Sequence, residues 1–202
     1  GNNKRRQSKN QIKGIAMKNI LSFLAAMSLM TGISAQDFDK NLATAKSSYS
    51  SGDLENARFA MEQLMRDLDI AIGKEILKLL PTKAGALNVN QKDDNVTGGG
   101  GTMTGLFVHR SFGVSPKSAS IEIINNSPLI NSVQSILTMP LIGGMMRDEN
   151  QKVIKIQGYK SLLQKNIDSE TNKTDYELQI PFNNTLLTVK MDDTTEAEIT
   201  GI

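Results

Sequence analysis

The spacing of the apolar residues changes once along this chain, from a helical repeat before four consecutive glycines, Gly98 to Gly101, to strict alternation after them. A repeat near 3.6 turns one side of a helix toward a core, and a repeat of 2 does the same for one face of a strand. A chain that makes this switch belongs to the α+β class. The expectation is an N-terminal helical hairpin, then a mostly antiparallel sheet with one or two packed helices.

The helical part covers residues 36–81. Phe38, Leu42, Ala45 and Tyr49 recur every three or four residues, and so do Leu54, Ala57, Met61, Leu64, Leu68, Ile72, Ile76 and Leu79. Ser50, Ser51 and Gly52 break the pattern between them, and Pro81 ends the second helix because its ring removes a donor and clashes with the preceding turn. Two amphipathic helices each need a partner, so a hairpin follows. Within it, Ala45, Tyr49, Gly52, Asp53 and Ala57 resemble one tetratricopeptide repeat, with small residues at a close helix crossing and Gly-Asp in the turn. That resemblance makes Tyr49, Gly52, Asp53 and Ala57 the candidate partner-binding residues. No second copy occurs at a period of about 34 residues, so a solenoid is not expected.

Residues 82–101 read as a glycine-rich linker. A phosphate-binding loop would require Lys and Ser or Thr after its last glycine, whereas Thr102 and Met103 follow here. Asp93, Asp94 and Asn95 lack the alternating spacing and closing Glu of an EF-hand and read as a solvated loop.

Over residues 102–202 strands are expected at Met103 to Phe112, Ser118 to Ile124, Lys152 to Gln157, Tyr159 to Asn166, Tyr176 to Pro181 and Thr185 to Met191. Between the second and third of these, Ser127 and Pro128 suit the N-cap and first position of a helix carrying Leu129, Ile130, Val133, Ile136 and Leu137 at helical spacing. Asp193 with Glu196 suggests a capping box opening a last helix near Ile202. This element order, with IEIINNSPLINSV, IQGYKSLLQ and LLTVKM, resembles a group of uncharacterised exported bacterial proteins, and is similar to the Mog1/PsbP-like fold. The resemblance implies an α+β domain and no catalytic signature, because function does not travel with fold alone.

From Met17 the chain reads MKNILSFLAAMSLMTGISAQDFD, with Lys18 ahead of an apolar run from Ile20 to Met30 and small residues at Ser34 and Ala35. This is the three-part order of a secretory signal over residues 17–35, with cleavage expected between Ala35 and Gln36. The run is too short for a stable membrane span, which needs about 20 apolar residues. Residues 1–16 read as upstream or added sequence. The start on Gly and the stop beside a helix start are what a fragment open at both ends would show.

The basic bias is concentrated at the N-terminal end. Of the formal +2, six positive charges (Lys4, Arg5, Arg6, Lys9, Lys13 and Lys18) precede Asn19, and without them the chain carries −4. Nucleic acid therefore loses its electrostatic attraction as a partner. The chain has no Cys, which excludes disulfides, thiolate metal sites, a Cys nucleophile and a lipobox. Aromatic residues are 4% of the chain, so the core relies on aliphatic side chains and ten Met residues.

Candidate chemistry is sparse. The single histidine, His109, sits on a strand beside Arg110 without a GxSxG elbow, and one His rules out a multi-His metal site. Asp192-Asp193 and Glu196-Glu198 read as turn and first-turn helix charges rather than an acid and base pair. Met145 and Met146 lack the neighbouring His or Met ligands of a copper site. The expectation is an exported, non-catalytic protein without a cofactor that binds an envelope protein or a small ligand. The alternatives are an envelope assembly protein using the hairpin and a hydrolase relying on scattered carboxylates.

Overall fold

The computed structural model describes residues 32–99, 105–139 and 150–201, with side chains from Asp37 onward. The expected signal segment before Gly32 and the Met145-Met146 pair lie outside the described residues. The chain divides into two compact units between Gln63 and Leu64.

The first unit holds the hairpin: helix α1 (Gly32–Ser51) and the start of helix α2 (Leu54–Leu79). The Ala35–Gln36 bond lies in the first turn of α1. Gly52 turns the chain with φ +80, a conformation that costs glycine nothing, and its N–H donates to the Tyr49 carbonyl at 3.2 Å. Asp53 caps α2, its Oδ1 accepting from the Asn56 N–H at 3.2 Å and its Oδ2 from Asn56 Nδ2 at 2.8 Å. Ala45, Ala57 and Ala60 are the buried apolar residues of the hairpin, with Asn41 and Ser48 half-buried on α1.

The second unit is built on one antiparallel sheet. Its strands are β3 (Asn95–Thr97), β4 (Phe107–Val114), β5 (Lys117–Asn125), β6 (Gln151–Ile156), β7 (Tyr159–Ile167), β8 (Thr174–Phe182) and β9 (Thr185–Met191). They lie in the order β3-β4-β5-β9-β8-β7-β6. A three-stranded meander thus joins a four-stranded one through β5 and β9, and the α+β class expected from the change of period is what the chain adopts.

Register divides the side chains between two faces. Phe112, Ala119 and Met191 align across β4, β5 and β9, as do Arg110, Ile121 and Val189, and Leu178 and Leu163 continue that layer on β8 and β7. This face forms the main core. It is covered by Leu80, Ala84, Leu87 and Val89 from the segment after α2 and by Ile199 of helix α4 (Glu196–Thr200). On the opposite face, Val133 and Leu137 of helix α3 (Ile130–Thr138) pack on Leu162 and Leu186, as the periodicity after Pro128 required.

The stretch expected to be a linker contains secondary structure. Strands β1 (Lys83–Ala84) and β2 (Leu87–Asn88) pair, a 3-10 turn spans Gln91–Asp93, and β3 forms the edge of the large sheet against β4. Gly98 serves close approach rather than looseness, because a Cβ there would lie 2.4 Å from the Arg66 carbonyl oxygen of α2. Gly73 plays the same part inside α2, where a Cβ would meet Val96 Cγ1 at 2.3 Å. The solvated loop expected at Asp93 to Asn95 is also corrected, since the Asp94 carboxylate takes a bidentate contact from buried Arg110, Nη2 at 2.6 Å and Nε at 2.9 Å.

The last helix starts two residues later than expected. Asp193 has φ +47 and donates its N–H to Asp175 Oδ1 at 2.9 Å, so the backbone is still reversing there. Thr195 is the cap, its hydroxyl accepting from the Glu198 N–H while the Glu198 carboxylate accepts from the Thr195 N–H.

Candidate binding surfaces

Two surfaces merit chemical scrutiny, one in each unit. The first is the hairpin. Its buried apolar residues are alanines, and its larger apolar groups stay in water: Phe38, Leu42, Tyr49, Leu54 and Met61 are between 37 and 72% exposed. At about 100° per residue, Phe38, Leu42 and Tyr49 fall within one row of α1, displaced from the seam, and Leu54 and Met61 form the corresponding row of α2. Because the two helices run in opposite directions, both displacements lie on the same side of the hairpin. One apolar face results. Phe59, also exposed, projects from elsewhere on α2.

The candidate partner-binding residues are brought together here in different roles. Tyr49 is 72% exposed and belongs to the apolar face. Gly52 and Asp53 form the turn and the cap, and Ala57 is buried in the seam. Leu42, Leu54 and Met61 complete the face. Their helical spacing was legible in the sequence, but their exposure was not, because spacing does not tell an apolar row that finds a partner from one that lacks it.

The second surface is the part of the sheet that α3 leaves uncovered. Here the alternation of β5, β8 and β9 places Ser120, Glu122, Glu177 and Lys190 on one face, with Gln179 and Thr188 buried beside them. Lys190 Nζ lies 3.6 Å from Glu122 Oε2, and His109 Nδ1 lies 3.5 Å from Glu122 Oε1. Gln179 Nε2 donates to Glu177 Oε1 at 2.6 Å, and the Ser118 hydroxyl donates to Asp192. Two open concavities of about 480 and 390 Å³ flank Lys190 and Asp192; Gln164, Asn166 and Asp175 line the larger, Asn90, Asp93 and Ser111 the smaller.

Compared with known proteins, the chain matches no family model, no curated protein and no solved structure.

The contacts in the polar region are those of a hydrogen-bonding surface. Nucleophilic catalysis needs a hydroxyl within reach of a base that a third group orients. Here the hydroxyls of Ser111 and Ser118 donate to Asp93 and Asp192 respectively, while His109 faces Glu122. Among the described residues no group of three or more His, Cys, Asp or Glu side chains gathers as a metal site, and no helix is long and apolar enough to cross a membrane. Two carboxylates are held below the usual range, both by local hydrogen bonds. Asp168 accepts from the N–H groups of Thr171 and Glu170, and Glu198 is lowered first by the Thr194 hydroxyl, then by the Thr195 N–H and the nearby Lys117. Arg110 is shifted upward, chiefly by its hydrogen bond to Asp94, and donates to the Leu80 carbonyl at 3.0 Å. These three groups shape turns and helix ends.

Proposed function

We propose that this chain is an exported, non-catalytic interaction module of the periplasm or the extracellular medium, and that the apolar face of the hairpin is its binding element. The observation that carries the reading is the exposure of Phe38, Leu42, Tyr49, Leu54 and Met61 on one side of a hairpin whose buried apolar residues are alanines. Soluble proteins seldom leave a contiguous apolar patch of several hundred Å² in water without an interaction to use it. Export is inferred from the sequence of residues 17–35 alone. A role in envelope assembly is the specific form this reading takes if the partner is an envelope protein.

The test is expression from Met17 in a bacterial host with a photo-reactive side chain at position 49. A mature start at Gln36 is expected, together with a cross-linked adduct that disappears when Leu42→Ser and Met61→Ser are added. An uncleaved cytoplasmic chain would overturn export. Absence of any adduct, or one indifferent to those substitutions, would overturn the hairpin as binding element. A second reading, a site for a small polar ligand, is favoured by the concavity of about 480 Å³ beside Lys190 and Glu177.

A further inference from the structure

We propose that the polar part of the sheet binds an uncharged, linear, β-linked saccharide chain that lies across the strands. This face belongs to the second unit and does not depend on the hairpin; a saccharide is the ligand class it gives to the concavity beside Lys190 and Glu177. Three observations lead there.

The first is register. Gln151, Gln164, Glu177, Lys190, Ser120 and Ser111 stand directly opposite one another on β6, β7, β8, β9, β5 and β4, so they form one unbroken cross-strand row. The two concavities lie along this row and meet at Lys190 and Asp192, which line both. Helix α3 packs on Leu162 and Leu186, to one side of the row, and leaves it open. At a strand spacing of about 4.8 Å, the six positions span roughly 24 Å and present one polar group for each step the size of a pyranose ring. A β-linked chain is extended, has that repeat, and is flat enough to lie on a sheet.

The second is hydrogen-bonding capacity. Among the described residues the side-chain amides of Gln151, Gln164 and Asn166 and the hydroxyl of Ser120 have no protein partner. Glu177 gives Oε1 to Gln179 Nε2 and keeps Oε2 for a ligand. The amides and hydroxyl donate and accept, and the carboxylate accepts; a sugar hydroxyl does both, so one kind of ligand group answers every position. A peptide laid across this row would offer backbone groups in fixed alternation and side chains with no apolar pocket to enter.

The third is charge. Asp175, Glu177 and Asp192 line the larger concavity against Lys165 and Lys190, and Asp93 and Asp192 line the smaller against Lys190. Carboxylates outnumber ammonium groups in both, and Lys190 Nζ already lies 3.6 Å from Glu122 Oε2. Phosphates, nucleic acid and acidic chains are repelled there, and a neutral chain is not. At about 480 Å³ the larger concavity has the size of a small-ligand site without the usual apolar lining, so its ligand is hydrophilic along its length.

The experiment is isothermal titration calorimetry of the whole chain with β-1,4-linked hexamers of glucose and of N-acetylglucosamine. Binding of at least one is expected, with affinity rising at least tenfold from its dimer to its hexamer, because a dimer fills only two steps of the row. Gln164→Ala and Glu177→Ala should each weaken binding about tenfold, and so should Gln164→Glu, which keeps the size of the side chain and removes its donor. Each variant should keep the urea midpoint of the parent chain, so that lost binding is not lost fold. A glucuronate hexamer should bind at least tenfold more weakly than the glucose hexamer, and a glycine-serine peptide of similar length should give no heat. Silence from both neutral hexamers at millimolar concentration would overturn the saccharide site. So would an affinity indifferent to chain length or to Gln164 and Glu177, or a preference for the uronate or the peptide. Leu42→Ser with Met61→Ser should leave saccharide binding unchanged, so this site and the hairpin as binding element stand or fall separately.

Discussion

Arg110 satisfies three acceptors at once. Its guanidinium donates to both oxygens of Asp94 and to the Leu80 carbonyl at the end of α2, with the Pro81 carbonyl 3.4 Å away. Both side chains are largely withdrawn from water, 8% and 15% exposed. Arg110→Met would leave a carboxylate and a helix end without donors, and we expect it to cost about 3 kcal/mol in urea unfolding. Arg110→Met with Asp94→Leu should recover most of that loss; a single variant costing under about 1 kcal/mol would show the pair to be solvated. From sequence Arg110 was only a cation beside the lone histidine, because nothing local says that residue 94 comes back to meet it. Gly73 sets a contest of opposite sign. Alanine is favoured over glycine in a helix by about 1 kcal/mol, but its Cβ would sit 2.3 Å from Val96 Cγ1 and 2.9 Å from Leu106 Cδ1. Stiff branched neighbours cannot yield that distance cheaply, so Gly73→Ala should destabilise the protein by about 1–3 kcal/mol in the same assay. A more stable variant would mean that α2 can move away.

At the scale of elements, α4 has only five residues and depends on its capping box and on Ile199, which is buried in the main core. Thr195→Ala should cost about 1 kcal/mol by chemical denaturation. Glu198 makes this element sensitive to acid. Its carboxyl titrates lower in the folded chain than in the unfolded one, so its stabilisation is fully present above the ordinary carboxylate value of about 4.3 and is lost as pH falls through the lower folded value. Amide exchange of Ile199 and Thr200, corrected for intrinsic rates, should accelerate over that acidic window and become flat in Glu198→Gln. Exchange that stays unchanged down to the acid limit would show that burial of Ile199 alone holds the helix. The box was expected at Asp193 and Glu196, where the residue types also fit; the left-handed backbone at Asp193 decided the register instead.

For the whole molecule the division between Gln63 and Leu64 bears on how surface changes are felt. Leu42→Ser and Met61→Ser alter exposed side chains of the first unit and remove nothing from the sheet core. Their effect on the unfolding of residues 64–202 should stay within about 0.5 kcal/mol, followed by near-ultraviolet circular dichroism of the sheet tyrosines Tyr159 and Tyr176. A larger loss would mean that the two units melt as one.

Periodicity along the sequence was enough to establish the α+β class, the hairpin, the amphipathic helix after Pro128 and the strand from Thr185 to Met191, because each depends on neighbours within a few residues. The tertiary structure alone decided that Asn95 to Thr97 pairs as an edge strand, that Gly73 and Gly98 are contact points, and that half-buried Asp94 pairs with Arg110. It also decided that the apolar row from Phe38 to Met61 faces water. Each of these depends on groups brought together from distant parts of the chain, or on a partner surface that never arrives, and neither leaves a mark in local spacing.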